Sequence, residues 1–381
     1  MIYLNNAATS FPKPPQLSKA IEDFLSKPYF SHGRTGIDSH SFDIADAARK
    51  NLAKLFNINN YKRISFSSGS TESLNTVIFG LNLEGKHVIT TEVEHNSVIR
   101  PLKTLERAGK ITLDFAKCDN IGFVNPADIE SLIQPNTELI AINFCSNVTG
   151  TYQDIKTITE VAHKNNIKVL ADCSQAAGNI EINASDWDID FMAFTGHKSL
   201  FGLQGIGGLY VSEKASINAL KYGGTGTKST YLYQPEEFPV YFEAGTQNLP
   251  GILSLLEGTN FIFETGFDKI KNHKTNLVKF AISELQKNQK IKFYNSDFNS
   301  SYSNICFNVG KMAPEEVNFA LDSSYDIIVR SGVHCAPLLM GPMSVDPWGT
   351  VRASPGYFTT TDEISEFVKA INEISNFIGD E

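Results

Sequence analysis

Asp190-Phe191-Met192-Ala193-Phe194-Thr195-Gly196-His197-Lys198 runs into Ser199-Leu200-Phe201-Gly202, and Gly205-Ile206-Gly207-Gly208-Leu209-Tyr210-Val211 follows. The run 189–194 is short and apolar and ends in a glycine-flanked turn, the pattern of a buried strand. A lysine held at the end of such a strand, with glycines close by, suits a carbonyl cofactor better than a solvated surface. A second apolar run, Ile167 to Leu170, ends at Asp172. Its carboxylate can meet the same ligand from the other side.

Outward from this pair, strand-like runs at 64–68, 87–91, 111–115, 139–144, 167–171, 189–194 and 207–211 alternate with helix-like stretches such as 72–81, 96–107 and 154–165. This alternation predicts an α/β fold with a mostly parallel central sheet covered on both faces. Ligands of such sheets gather at the carboxyl ends of the strands. Thr71, His95, Asn147, Asp172 and Lys198 each fall just after an expected strand, which points to one shared site. The segment 223–250 is rich in Gly, Thr, Tyr and Pro and reads as a long functional loop. Helical stretches near 252–288, strands near 303–309 and 325–330 and a last helix over about 361–378 predict a smaller C-terminal α+β domain. The chain divides into an arm (1–17), a large ligand-binding domain (18–252) and a small domain (253–381), two cores being the ordinary expectation for 381 residues.

The 33 Lys and Arg against 42 Asp and Glu give a net charge of −9, which argues against a general nucleic-acid binder but not against a small anionic ligand in a local pocket. The five cysteines are scattered with no CxxC pair, so neither a metal site nor a disulfide framework is expected, and a reducing cytoplasm is. No leader is read at the N-terminus, and no apolar run is long enough to span a membrane.

Further constellations surround the lysine. Ser67-Ser68-Gly69-Ser70-Thr71-Glu72 joins a strand to a helix, where backbone N–H groups and the helix dipole suit an anion; alone the stretch reads as plain N-capping, and with Lys198 and Asp172 in the same chain a phosphate is favoured. His95 either stacks on a ring or relays protons, or is merely structural. Asn147 meets a ring oxygen or serves a turn. Asp172 keeps a pyridine nitrogen protonated, or is an N-cap. A Schiff-base amine and a carboxylate for a pyridinium nitrogen are how proteins hold pyridoxal 5'-phosphate. Beside His197 and desolvated, Lys198 is expected to have a lowered pKa. Arg330-Ser331-Gly332-Val333-His334-Cys335-Ala336-Pro337 sets a cysteine after a histidine and near an arginine, a setting that favours thiolate, at the start of a Gly- and Pro-containing loop. Arg352 ends that loop and suits a bidentate grip on a carboxylate.

Taken together, Leu4-Asn5-Asn6-Ala7-Ala8-Thr9, Ser68 to Glu72, Glu94-His95-Asn96, Asn147 to Gly150, Asp172 to Gln175, Thr195 to Lys198, Phe242 to Asn248 and the Cys335 and Arg352 segments resemble the cysteine desulfurase and selenocysteine lyase branch of the class V aminotransferases, over almost the whole chain. The resemblance implies the fold-type-I architecture of pyridoxal phosphate enzymes. It implies that Lys198 carries the cofactor, Asp172 pairs with the pyridine nitrogen and His95 stacks on the ring. Gln175 and Asn147 would contact the ring oxygen and the substrate side, while Ser70, Thr71, Thr195 and His197 hold the phosphate. Thr246 would reach the phosphate of a neighbouring subunit in a homodimer. Ala8, Asn147, Arg330 and Arg352 would bind the amino acid, and Cys335 would take its sulfur.

Three departures stand out. Asn5 replaces the Asp of many members, Val333 replaces a second histidine of one group, and the 16 residues between Cys335 and Arg352 make a short loop like that of members with a dedicated acceptor protein. The expected reaction converts L-cysteine to L-alanine with a persulfide on Cys335. Selenocysteine lyase is the nearest alternative. Another aminotransferase or β-eliminating lyase would leave the Cys335 loop unexplained, and a silent scaffold would leave Lys198, Asp172 and Arg352 unexplained.

Overall fold

A computed structural model describes residues 1–26, 43–294, 304–345 and 347–377. Positions 303 and 378, at the edges of an expected strand and helix, lie outside the described residues, as do 379–381 at the end of the expected small domain.

The chain opens with β1 (Ile2–Tyr3), α1 (Pro15–Leu25) and α2 (Ile44–Leu55). A βα alternation follows: β2 (Ile64–Ser67), α3 (Ser70–Gly80), β3 (Lys86–Thr91), α4 (Asn96–Arg107), β4 (Ile111–Ala116), α5 (Pro126–Ser131), β5 (Thr137–Asn143), α6 (Ile155–Lys164) and β6 (Lys168–Asp172). Then come β7 (Phe191–Thr195) and β8 (Gly207–Val211). The segment expected to be a loop holds one short 3-10 turn, Val240–Phe242, before α7 (Leu249–Thr265) and α8 (Phe267–Leu285). These two helices are parted at Gly266, whose φ of 94° lies where a side chain is disfavoured. The remainder is β9 (Ile291–Phe293), β10 (Ile305–Val309), α9 (Pro314–Tyr325), β11 (Ile327–Ile328), β12 (Arg330–Gly332), β13 (Thr350–Ala353) and α10 (Thr361–Asn376).

Seven strands form the central sheet in the order β2-β8-β7-β6-β5-β3-β4. The parallel expectation holds for every pairing among β3 to β7, but β8 runs antiparallel to both its neighbours. The reason lies in the connection. Residues 196–206 contain no helix, and a parallel return needs a crossover of a dozen or more residues, usually helical. The chain therefore turns straight back.

Burial on both faces is written residue by residue. Ile140, Ile142, Val169, Ala171, Met192 and Phe194 join one core. Their neighbours Leu139, Ala141, Leu170, Phe191 and Ala193 join the core on the opposite face. This is the period-two alternation of a strand with apolar residues on both sides. A separate antiparallel sheet, β12-β13-β10-β9, has its own core with residues of α8, α9 and α10. The region expected as one strand, 325–330, is two. β11 pairs with β1 at the N-terminus, and β12 belongs to the small sheet.

Register sets the site. Asn143 pairs with Asp172 across β5 and β6, and Asp172 with Ala193 across β6 and β7. β5 and β6 therefore end level, β7 runs on past them to Thr195, and the turn carrying Lys198 rises from this edge. Helix α7 backs this turn closely. A Cβ on Gly258 would lie 2.0 Å from the Leu200 carbonyl oxygen. Overpacking of this kind costs about 1–3 kcal/mol, so Gly258→Ala should lower the urea midpoint of unfolding by a corresponding amount, an outcome that equilibrium denaturation reads directly.

Candidate active site

A cavity of about 460 Å³ opens at the carboxyl edge of β5–β7. Of the residues singled out in the sequence, Ala8, Ser70, Thr71, His95, Asn147, Asp172, Gln175, Thr195, His197, Lys198, Arg330 and Arg352 all line it. Two do not. Cys335 stands just behind Arg330, whose Nη2 donates to its Sγ at 3.3 Å. Thr246 lines an adjoining cavity of about 180 Å³ that shares Ser68, Glu72 and Gly205 with the first.

At one end, Gly69 caps α3 without a side-chain hydrogen bond. Glu72 accepts from the Ser68 N–H at 2.8 Å and pairs with Lys221. The first-turn amides of α3 beside Ser70 and Thr71 thus stay available to an anion, which the helix dipole also favours. Thr71 Oγ1 lies 2.9 Å from Ser97 Oγ, and Ser97 Oγ lies 2.8 Å from His95 Nδ1. Because His95 Nδ1 also accepts from the Ser97 N–H, neutral His95 keeps its proton on Nε2. Its pKa is lowered, chiefly by burial.

In the middle stands Lys198, partly buried, with its exposed part lining the cavity. Burial brings its pKa down to about 8, opposed by Asp172 and assisted by Arg352 and Arg330. His197 falls to about 4, by burial first and then by Lys198 and Lys13. It is therefore a neutral neighbour at pH 7. Its carbonyl accepts from the Ser10 N–H at 2.9 Å and from Lys13 Nζ at 3.0 Å, which fastens the N-terminal arm to the lysine turn. Asp172 is nearly fully buried, and its Oδ1 accepts from both the amide (2.9 Å) and the hydroxyl of Ser174. Gln175 Nε2 donates to the Ala7 carbonyl at 2.8 Å.

The far wall comes from the small sheet. Asn147 Nδ2 donates to the His334 carbonyl at 2.6 Å, and the Asn147 carbonyl accepts from Arg352 Nη1 at 2.6 Å. His334 corrects the sequence reading. It is buried, its Nε2 faces Thr350, and burial with two nearby arginines pushes its pKa well below the usual value. It is neutral, so the cation beside Cys335 is Arg330. Both His334 and Cys335 sit at positive φ, 49° and 61°, a strained arrangement often stored at functional turns.

Pyridoxal phosphate fits these groups. They supply an amine of lowered pKa, a carboxylate fixed by its own hydrogen bonds, and a helix N-terminus for a phosphate. Asn143 Oδ1, Asn147 Oδ1 and Arg352 Nε, all in wall residues, are buried without partners, as expected where polar partners arrive with a ligand.

Sequence reasoning passed over Asn143, Ser97, Ser174, Lys13 and Glu94. Asn143 ends β5 as Asp172 ends β6, so the strand-end rule could have found it. Glu94 is fully buried, with its carboxyl pushed up to about 8 chiefly by burial, and it accepts from the Asn143 N–H at 2.8 Å. No local pattern separates it from a surface glutamate.

The lowered pKa has a measurable consequence. A lysine at about 8 in the folded chain and 10.5 when free costs on the order of 3 kcal/mol of stability below pH 8. That cost fades as pH rises from about 8 to 10.5. Cofactor-free Lys198→Met should therefore exceed cofactor-free parent in stability at pH 7, with the gap closing by pH 10 in parallel urea titrations.

Among known proteins, the family description "Aminotransferase class-V" matches residues 2–367. A probable cysteine desulfurase of Halalkalibacterium halodurans is 30% identical, the match covering 100% of this chain and 94% of that protein. One of Methanothermobacter thermautotrophicus is 31% identical, covering 98% and 94%. The apo structure of cysteine desulfurase from Thermococcus onnurineus NA1 superposes with a TM-score of 0.92 at 29% identity, covering 99% of this chain and 95% of that one.

Proposed function

The chain belongs to the aminotransferase class-V family, with its fold-type-I architecture, and we propose that it is a cysteine desulfurase that takes sulfur from L-cysteine onto Cys335 and releases L-alanine. One observation carries the reading: Lys198, Asp172 and Arg352 converge on one cavity, and Cys335 is a single hydrogen bond from its wall through Arg330.

Pyridoxal 5'-phosphate would supply an aldehyde that condenses with amines and a protonated ring that accepts electrons from an amino acid Cα. Lys198 would hold its aldehyde, Asp172 its ring nitrogen, His95 its face, and Asn147 and Gln175 its ring oxygen. Ser70, Thr71, Thr195 and His197 would take the phosphate. The rest is the work of this chain's side chains. With a pKa of about 8, Lys198 is poised near neutral pH to exchange a proton with the substrate Cα. Arg352 binds the substrate carboxylate, beside Ala8, Asn147 and Arg330. Cys335 Sγ attacks the substrate sulfur as the C–S bond breaks. The atoms balance: L-cysteine and the Cys335 thiol give L-alanine and the Cys335 persulfide, whose outer sulfur passes to an acceptor protein.

The active unit in this reading is a homodimer. Thr246 lines the second cavity of its own chain rather than the first, consistent with a role at the phosphate of a partner subunit. Leu220, Tyr222, Tyr231, Leu232 and Tyr233 expose apolar side chains on the preceding segment, side chains that a partner subunit would cover. No helix among the described residues is long and apolar enough to cross a membrane, and none of the five cysteines is in a disulfide. Thiols outside disulfides suit a reducing cytoplasm.

Lys198→Ala should lower alanine release by roughly 10²–10⁴-fold, the range for loss of a general acid–base. Cys335→Ser should keep the cofactor absorbance yet lose the gain of one sulfur atom that mass spectrometry finds on the Cys335 peptide after L-cysteine. A Cys335→Ser protein that still forms protein persulfide at the parental rate overturns the assignment. Leu232→Asp combined with Tyr233→Asp should shift the protein toward monomer in analytical ultracentrifugation and weaken its retention of cofactor.

A further inference from the structure

Arg352 is 0% exposed, and every described hydrogen-bond partner of its guanidinium is neutral. Nη1 donates to the Asn147 carbonyl at 2.6 Å, Nη2 donates to Asn5 Oδ1 at 3.0 Å, and Nε has no partner. Directly across the β12–β13 ladder stands Arg330, a second cation, whose Nη2 is turned to Cys335. Like charges placed opposite each other on a ladder repel. Among the described residues, the arginine–carboxylate pairs are those of Arg49 with Asp46 and Glu243; none reaches Arg330 or Arg352. A buried charge is ordinarily paired, because an uncompensated ion in the interior is expensive. Here two guanidinium-bearing residues stand opposite each other on β12 and β13 with, among the described residues, no carboxylate paired to either.

Asn5 is the residue that decides this. Its carbonyl oxygen already occupies the place where a carboxylate oxygen would neutralise Arg352, and aspartate has the same shape. Its backbone is held in place. That backbone bridges Ser354 in parallel, and its main-chain carbonyl accepts from the Ala8 N–H at 3.0 Å and Tyr3 Oη at 3.2 Å. The amide is thus presented to Arg352 by a fixed arm.

We propose that Asn5 is a specificity-determining positioning residue: by meeting Arg352 with a neutral oxygen, it leaves the Arg330–Arg352 pair short of one negative charge, which the substrate's α-carboxylate supplies. The site then selects amino acids with a free carboxylate over amides and esters of the same shape. This inference rests on the assignment of Arg352 to the substrate carboxylate.

The test uses holoenzyme and two probes, L-alanine and L-alaninamide, whose dissociation constants are measured by calorimetry alongside KM and kcat for L-cysteine. Asn5→Asp should weaken L-alanine by about tenfold or more and L-alaninamide far less, since only the former meets the added charge. The loss in turnover should fall on KM more than on kcat, and thermal stability should not decrease, because an ion pair has been completed. Asn5→Ser, neutral and smaller, should keep most of the preference for L-alanine. An Asn5→Asp protein that keeps the parental preference, or one less stable than the parent, overturns the inference. So does Asn5→Ser losing as much preference as Asn5→Asp, since the hydrogen bond rather than the charge would then matter. Arg352→Gln separates the two levels. If it erases the preference while Asn5→Asp does not, the role of Asn5 alone falls; if it binds L-alanine as the parent does, the assignment of Arg352 falls with it.

Discussion

The shared carboxyl edge of β5, β6 and β7 is the constraint on which the site depends. Parallel strands buried on both faces leave their polarity to the ends, and here the ends are Asn143, Asp172 and Thr195. A one-residue slip of register would turn Asp172 from the edge into the opposite face. The apolar alternation of 139–142, 169–171 and 191–194 between two cores forbids that slip. Packing on the faces thereby fixes chemistry at the edge.

The rest of the molecule closes on that edge. The N-terminal arm ties its Ser10 and Lys13 to the His197 carbonyl and its Asn5 to Arg352. The small sheet brings Arg352 and Arg330 from the other side, and Asn147 bridges the two halves through His334 and Arg352. A chain with net charge −9 in this way builds a pocket walled by Lys198, Arg330 and Arg352. Local geometry, not overall charge, determines what the pocket attracts.

Much of this was legible beforehand, for identifiable reasons. Lys198 and Asp172 could be found because each ends a run of apolar residues, and strand ends in such sheets are where ligands bind. The helix start at Ser70 could be found because a glycine and hydroxyl residues after a strand mark it. His334 was misread. Adjacency in sequence counted it, with a nearby arginine, in a setting that favours thiolate at Cys335, yet its ring is directed into the core at Thr350, and only the fold shows that direction. Glu94 stayed hidden because nothing local marks a carboxyl that will be sealed against Asn143 and Thr91.

By itself the sequence determined the strand–helix order, the two-faced burial of the central strands and the residue types at their ends, because these follow from periodicity and steric propensity within short windows. Tertiary structure alone decided that the His334 ring turns to Thr350, and that the buried Arg352 meets a neutral amide from the first few residues. Those outcomes depend on contacts between segments separated by more than three hundred residues, as Asn5 and Arg352 are, or on the direction a side chain takes once its neighbours are packed. Neither is encoded in any local pattern.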